Sequence, residues 1–168
     1  MTYYDQVKQF HQVFDNEQVT QVRELTGDAA KYRATFKFEE ILEFLYAASN
    51  GDDTIFREYV SAIHQQIDQQ ADKIMTKKVS STNRLVGEVD ALIDLLYFTF
   101  GTFVKMGIDP KPLFDIVHTA NMGKLFPDGK PHYHPVTGKV LKPDNWEHEY
   151  APEAKILKEI NQQKNKHT

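Results

Sequence analysis

The run Leu92-Ile93-Asp94-Leu95-Leu96-Tyr97-Phe98 sets one carboxylate inside the most apolar stretch of the chain. On a helix, at about 100° per residue, such a run is apolar on nearly every side. It predicts the central, most buried helix, over about 81–106 and ended by Gly107. The stretch from Leu92 to Val104 is too short to span a bilayer. An ionised carboxylate in apolar surroundings is costly unless something neutralises it. No Lys or Arg stands at the neighbouring positions of the helix. Asp94 therefore asks for a counter-ion from outside its own helix.

The rest of the chain is dense in helical periodicity and poor in strand signals. The first segment, 4–14, carries Val7, Phe10 and Phe14 on one stripe. A second helix is expected over 28–49, with Asp28 as N-cap and Asn50-Gly51 as the stop. A third runs over 54–77, with Ile55, Tyr59, Ile63, Ile67 and Ile74 at helical spacing. Asp109-Pro110, a cap followed by proline at the first helical position, opens a fifth segment to about 121. From Met122 to Pro152 the helical period disappears and most of the prolines occur. That texture predicts a long loop, and such loops in compact domains are usually functional or disordered. A short polar helix over 153–163 follows, with 164–168 expected to fray. The whole, 1–168, is expected to be a single all-α domain.

Charge and composition narrow the function. There are 20 Lys+Arg against 24 Asp+Glu, a formal charge of −4, which argues against a dedicated nucleic-acid binder. With no Cys, disulfide scaffolds, thiolate metal sites and cysteine nucleophiles are excluded. The opening residues lack a basic region and an apolar region of the signal-peptide kind, so cytoplasmic residence without a membrane is the expectation. No P-loop and no G-x-G-x-x-G occurs.

The carboxylates recur in a pattern. In Glu39-Glu40-x-x-Glu43, Glu40 and Glu43 lie roughly 60° apart around the helix, and Glu39 and Glu43 roughly 40°. Asp90 and Asp94 are four apart and share a face of the later helix. Taken alone, the glutamates read most simply as a solvated face, and Asp90 as a cap or an ion-pair partner. Taken together, two carboxylate clusters on two apolar helices point to a divalent cation. Hard oxygen donors without thiolates favour Mg²⁺ or Mn²⁺ over zinc. Between Met122 and Pro143, Lys124, Lys130, Lys139 and Lys142 face only Asp128, which suits phosphate contacts or, more plainly, a solubilising loop. His132 and His134 alone do not make a metal site.

Glu39-Glu40-x-x-Glu43, followed by Asp90-Ala-Leu-Ile-Asp94-Leu-Leu-Tyr97, resembles the all-α NTP pyrophosphatases, the MazG-like superfamily. That superfamily includes dimeric dUTPases and phosphoribosyl-ATP pyrophosphohydrolase. The likeness is greatest to the phosphoribosyl-ATP pyrophosphohydrolase-like or Cof-like branch. It extends over about residues 5–145, through Phe10-His11, Arg33, Gly101-Thr102, Gly107-Ile108-Asp109, Val117-His118-x-x-Asn121-Met122-x-Lys124 and Gly138-Lys139-x-x-Lys142-Pro143. Where the superfamily usually has Glu-x-x-Asp, Ala91 stands three before Asp94 and Asp90 four before it. The interval from Phe44 to Val89 is also longer than in compact members.

The resemblance implies a MazG-like helix bundle with a long C-terminal basic loop and a short final helix. It implies hydrolysis of a nucleoside or deoxynucleoside triphosphate, or a related nucleotide, between the α and β phosphates. Mg²⁺ or Mn²⁺ would be held by Glu40, Glu43, Asp90 and Asp94. Glu39 or Glu40 would accept the proton of the attacking water. Arg33, Asn121, Lys124, Lys139 and Lys142 would hold the substrate. A homodimer or a dimer of dimers is expected, because one short chain offers few helices to cover the apolar fourth segment. The rivals are a nucleotide-binding module without turnover and a non-catalytic helical interaction module.

Overall fold

The computed structural model of the chain describes residues 1–15, 18–77 and 83–166. Its elements are α1 (Tyr3–Phe14), α2 (Gly27–Ala48), α3 (Asp53–Lys77), α4 (Arg84–Met106), α5 (Pro110–Met122), α6 (Trp146–Glu149) and α7 (Glu153–Lys166). Among the described residues the only β pairing is an isolated antiparallel bridge, Tyr133 with Val140. The fold is all-α, as the periodicity predicts. The part of the fourth segment expected at 81–82 lies outside the described residues.

Local chemistry sets the helix ends. Thr2 and Asp5 form a reciprocal capping box at the start of α1, which satisfies two otherwise orphaned amides. The N-cap of α2 is Thr26, whose hydroxyl accepts from the Ala29 amide, and not Asp28. Both residue types cap well, and Asp28 instead lies in the first turn, where its charge favours the helix N-terminus. Asp109 caps α5 ahead of Pro110, as expected. Asn50 and Gly51 take left-handed φ values of 54° and 74° after α2, and Gly107 does so after α4. The last helix continues to Lys166, beyond the expected fray at 164.

The chain falls into two compact units, residues 22–92 and residues 1–21 with 93–168. In the first, α2 packs against α3, and Tyr46 meets Phe56 edge-on at 5.2 Å. The approach to α2 is fastened to the first turns of α4. The Leu25 amide donates to Glu88 at 3.2 Å, and Arg84 reaches the Leu25 carbonyl, Glu24 and Glu88.

In the second unit α5 packs against both α1 and α7. Phe14, Ala120 and Trp146 are its most buried apolar residues, each 5% exposed or less. The Trp146 indole Nε1 donates to the Ala120 carbonyl at 2.7 Å, and Lys142 lies 3.6 Å over the ring. The Tyr133 hydroxyl donates to the Phe14 carbonyl at 2.5 Å. The stretch from 123 to 152 is thus an ordered strap held by its aromatic residues. Gln163 on α7 is buried and makes a two-way tie with Asp109, accepting from its amide and donating to its carbonyl.

One expectation fails. Helix α4 is not buried: no residue of α2, α3 or α4 is buried in the single chain. Tyr97 is 75% and Phe98 70% exposed. An all-round apolar helix needs cover on all sides, and among the described residues none of this helix is buried.

Two predictions follow from the second unit. A Cβ at Gly123 would overlap the ring of Tyr150. Gly123→Ala should therefore cost about 1–3 kcal/mol in chemical denaturation, and much less in a Tyr150→Ala background. Asp115 accepts from Lys111 and from Gln6 of α1, each at 2.6 Å. These bonds, Lys111's first, hold its carboxyl below the ordinary value of 3.8. A lowered folded value gives stability that is complete above the unfolded value and lost as pH falls through the folded one. Asp115→Asn should thus lower Tm at neutral pH, with the gap to wild type closing in acid below 3.8.

Candidate active site

Glu39, Glu40 and Glu43 project from the middle of α2, all exposed. Around them on the same helix Phe38, Ile41, Leu42 and Phe44 are 38–54% exposed. The glutamates thus stand in an apolar surface, and not on an ordinary charged face. Asp90 and Asp94 are exposed on α4, with Leu92, Ile93, Leu95 and Leu96 open beside them. Asp94 is therefore hydrated in the single chain, against the expectation of a desolvated carboxylate.

The expected packing of the second segment on the fourth is not made within residues 22–92. There α2 packs on α3, and no comparable packing joins it to the first turns of α4. Among the described residues, no three His, Asp or Glu side chains are gathered into a metal-binding group. The donor chemistry still fits a hard divalent cation, being carboxylate oxygens with no thiolate in the chain.

The expected substrate residues are placed as follows. Asn121 and Lys124, at the end of α5, come together: the Lys124 ammonium donates to Asn121 Oδ1 at 2.7 Å. Lys142 is engaged by the Trp146 face and by Glu147 at 3.1 Å. That anchors the strap, so Lys142 serves structure here whatever else it does. Lys139 stands next to the Tyr133–Val140 bridge, its carbonyl accepting from the His134 amide. Arg33 is on the exposed side of α2, and its carbonyl accepts from the Lys37 ammonium at 3.1 Å. Partial burial, and secondarily the Arg33 charge, push the Lys37 ammonium below its ordinary value.

Two cavities accompany these groups. An open cleft of about 590 Å³ between α2 and α3, walled by Tyr46, Asp53, Phe56, Arg57 and His64, includes none of Glu39, Glu40, Glu43, Asp90 and Asp94. A smaller one of about 140 Å³ lies between α1 and α5 and includes Asn121. The sequence reading missed the second. Its signal was present: Phe114, Val117, His118 and Asn121 follow the i, i+3, i+4, i+7 pattern of a packed face, yet two of the four are polar.

Comparisons with known proteins bear on the family of the chain. The family model described as phosphoribosyl-ATP pyrophosphohydrolase matches residues 7–121, a span holding all five carboxylates. The solved structure of a "putative NTP pyrophosphohydrolase" from Exiguobacterium sp. 255-15 is similar over its full length. It shares 38% identity, covers 100% of this chain and 99% of its own, and superposes with a TM-score of 0.89. No curated protein matches. No single described helix is long and apolar enough to cross a membrane. With more than half of its length matched, the chain belongs to the phosphoribosyl-ATP pyrophosphohydrolase family and is a hydrolase of the nucleotide pyrophosphohydrolase kind.

Proposed function

We propose that the protein cleaves a nucleoside or deoxynucleoside triphosphate between the α and β phosphates, in the cytoplasm and with Mg²⁺ or Mn²⁺. The observation that carries this is the pair of carboxylate clusters, Glu39-Glu40-x-x-Glu43 on α2 and Asp90 with Asp94 on α4, set in apolar surface in a chain of this family. Glu40, Glu43, Asp90 and Asp94 would hold the metal, which when bound supplies charge neutralisation for phosphate oxygens and acidifies water. Glu39, or Glu40 where Glu43 and the aspartates suffice for the metal, accepts the proton of the attacking water. Lys124, with Arg33 and Lys139, offsets phosphate charge during binding. Positioning and charge stabilisation then account for most of the rate.

The enzyme works as a homodimer or a dimer of dimers. Ile55, Tyr59, Ile63 and Ile67 form an exposed stripe on α3, and α4 adds Ile93, Leu96, Tyr97 and Phe98. Complete burial of an exposed side chain of this size is worth about 1.5–3 kcal/mol, and since these are 36–75% exposed, covering each one supplies part of that. Closed symmetry is the usual way for one chain to cover its own apolar faces. Light scattering at micromolar concentration should give a multiple of 19.5 kDa; a monomer alone would defeat the assembly.

The chemical test is product analysis. Incubation of a nucleotide panel with Mg²⁺ should release pyrophosphate and a monophosphate from at least one member. Orthophosphate with a diphosphate would mean cleavage at the terminal phosphate and a wrong mechanism. Glu43→Gln should lower kcat at least a hundredfold, the order expected when charge at the reacting phosphate is removed. The same variant should lose most of the rise in Tm that Mg²⁺ gives wild type, since only binding to the folded state stabilises it. An undiminished Tm response would remove Glu43 from the metal set.

A further inference from the structure

We propose that the cleft between α2 and α3 is a second ligand site, apart from the five carboxylates, and that it takes an apolar α-amino acid. The cleft measures about 590 Å³ and includes none of Glu39, Glu40, Glu43, Asp90 and Asp94. Small-molecule sites commonly measure about 300–1,000 Å³ and set a few polar groups in an apolar lining. Here Tyr46, Phe56 and Val60 supply the apolar lining, and Asp53, Arg57, Ser61 and His64 the polar groups. Tyr46 and Phe56 meet edge-on at 5.2 Å, so the wall that receives an apolar side chain is formed before anything binds.

The polar residues recur at steps of three and four along α3 and share one face of it. Among the described residues, none of their side chains makes a hydrogen bond or an ion pair. An Asp and an Arg four apart on a helix ordinarily attract each other, yet Asp53 and Arg57 do not pair. Capping does not occupy Asp53 either. The amides of Thr54 and Ile55 at the start of α3 donate to Asp52 Oδ1. Thr35, Thr76, Thr99 and Thr119 turn their hydroxyls back on the carbonyl four residues earlier, and Ser61 does not. The Tyr46 hydroxyl reaches Gly51, two residues before Asp53, and so stands at the Asp53 end of the cleft.

A carboxylate and a guanidinium one turn apart, with no bond between them, charge the cleft at two points and leave it neutral in sum. A simple anion there meets Asp53, and a simple cation meets Arg57. An α-amino acid carries both charges on one small frame. Its carboxylate suits the Arg57 fork, with Ser61 and His64 as further donors. Its ammonium suits Asp53 and the Tyr46 hydroxyl, and an apolar side chain falls against Phe56 and Val60. The apolar stripe Ile55, Tyr59, Ile63 and Ile67 is turned roughly 130° around α3 from the polar face. Phe56 and Val60, partly covered, lie between the two. Pairing of chains through that stripe therefore leaves the cleft open.

Phenylalanine is the probe, titrated calorimetrically into the full-length protein. It should bind saturably. Phenylpropionate, which lacks the ammonium, and phenylethylamine, which lacks the carboxylate, should each bind about tenfold more weakly or worse. Arg57→Gln should weaken phenylalanine about tenfold and leave phenylethylamine no weaker than in wild type. Asp53→Asn should weaken phenylalanine likewise and leave phenylpropionate bound as tightly as phenylalanine. Both substituted side chains are exposed, and thermal melts establish that the variants are folded. Three results would each overturn the proposal: no saturable binding of phenylalanine, unchanged binding of it in either variant, or phenylpropionate held as tightly as phenylalanine by wild type. None of these measurements needs turnover, so the pyrophosphohydrolase reading stands or falls separately.

Discussion

Helix α4 joins two demands that one chain does not meet together. Its apolar residues call for cover on nearly every side, and Asp90 and Asp94 on the same helix call for water, a cation or a basic partner. In the single chain the second demand is met by exposure and the first is left open. The same holds on α2, where three glutamates stand among exposed Phe38, Ile41, Leu42 and Phe44. Any association that covers the apolar residues also draws water away from the carboxylates. Each carboxylate then either gains a cation or becomes a strongly unfavourable buried charge. Were the chain to assemble through these helices and take up a cation there, the two steps would be coupled: the ion would lower the cost of covering the helices, and the covering would raise the affinity for the ion.

The unit of residues 1–21 and 93–168 solves a different problem. It has few buried apolar residues and compensates with directed bonds from aromatic and amide side chains. Trp146 is fixed at both its ring and its nitrogen, and Tyr133 and Gln163 each bond to backbone far along the chain. A hydrogen bond adds only about 0.5–1.5 kcal/mol net, so these bonds act chiefly to select one path for the strap. The result is an ordered basic segment whose lysines are held near set positions. Asn121 and Lys124 gain a fixed relation because α5, which carries Asn121, is packed by α1 on one side and α7 on another.

Helix bounds were legible in the sequence because their causes are local. The Asp109-Pro110 start and the stops at Asn50-Gly51 and Gly107 follow from φ preferences and from side chains that reach only a few residues. The choice of Thr26 over Asp28 was not legible, since two good caps stand two residues apart and geometry decides between them. Burial was misread for a stronger reason. Apolar content says that a helix wants cover and not that its own chain supplies it, so Leu92–Phe98 gave the right element and the wrong exposure. The carboxylate positions were legible from spacing, whereas which side chains they meet depends on packing that no local pattern encodes.

The Lys-rich loop shows how one residue type divides between structure and chemistry. Its lysines look alike in sequence, as surplus positive charge in an acidic chain. In the fold Lys142 spends its charge on an indole face and on Glu147, which pins the strap at Trp146. Lys124 donates to a side-chain amide oxygen, that of Asn121. A phosphate arriving at Lys142 would compete with both a carboxylate and a cation–π contact. A phosphate-binding role expected of the loop is therefore costly at Lys142, whose charge already holds the strap in place.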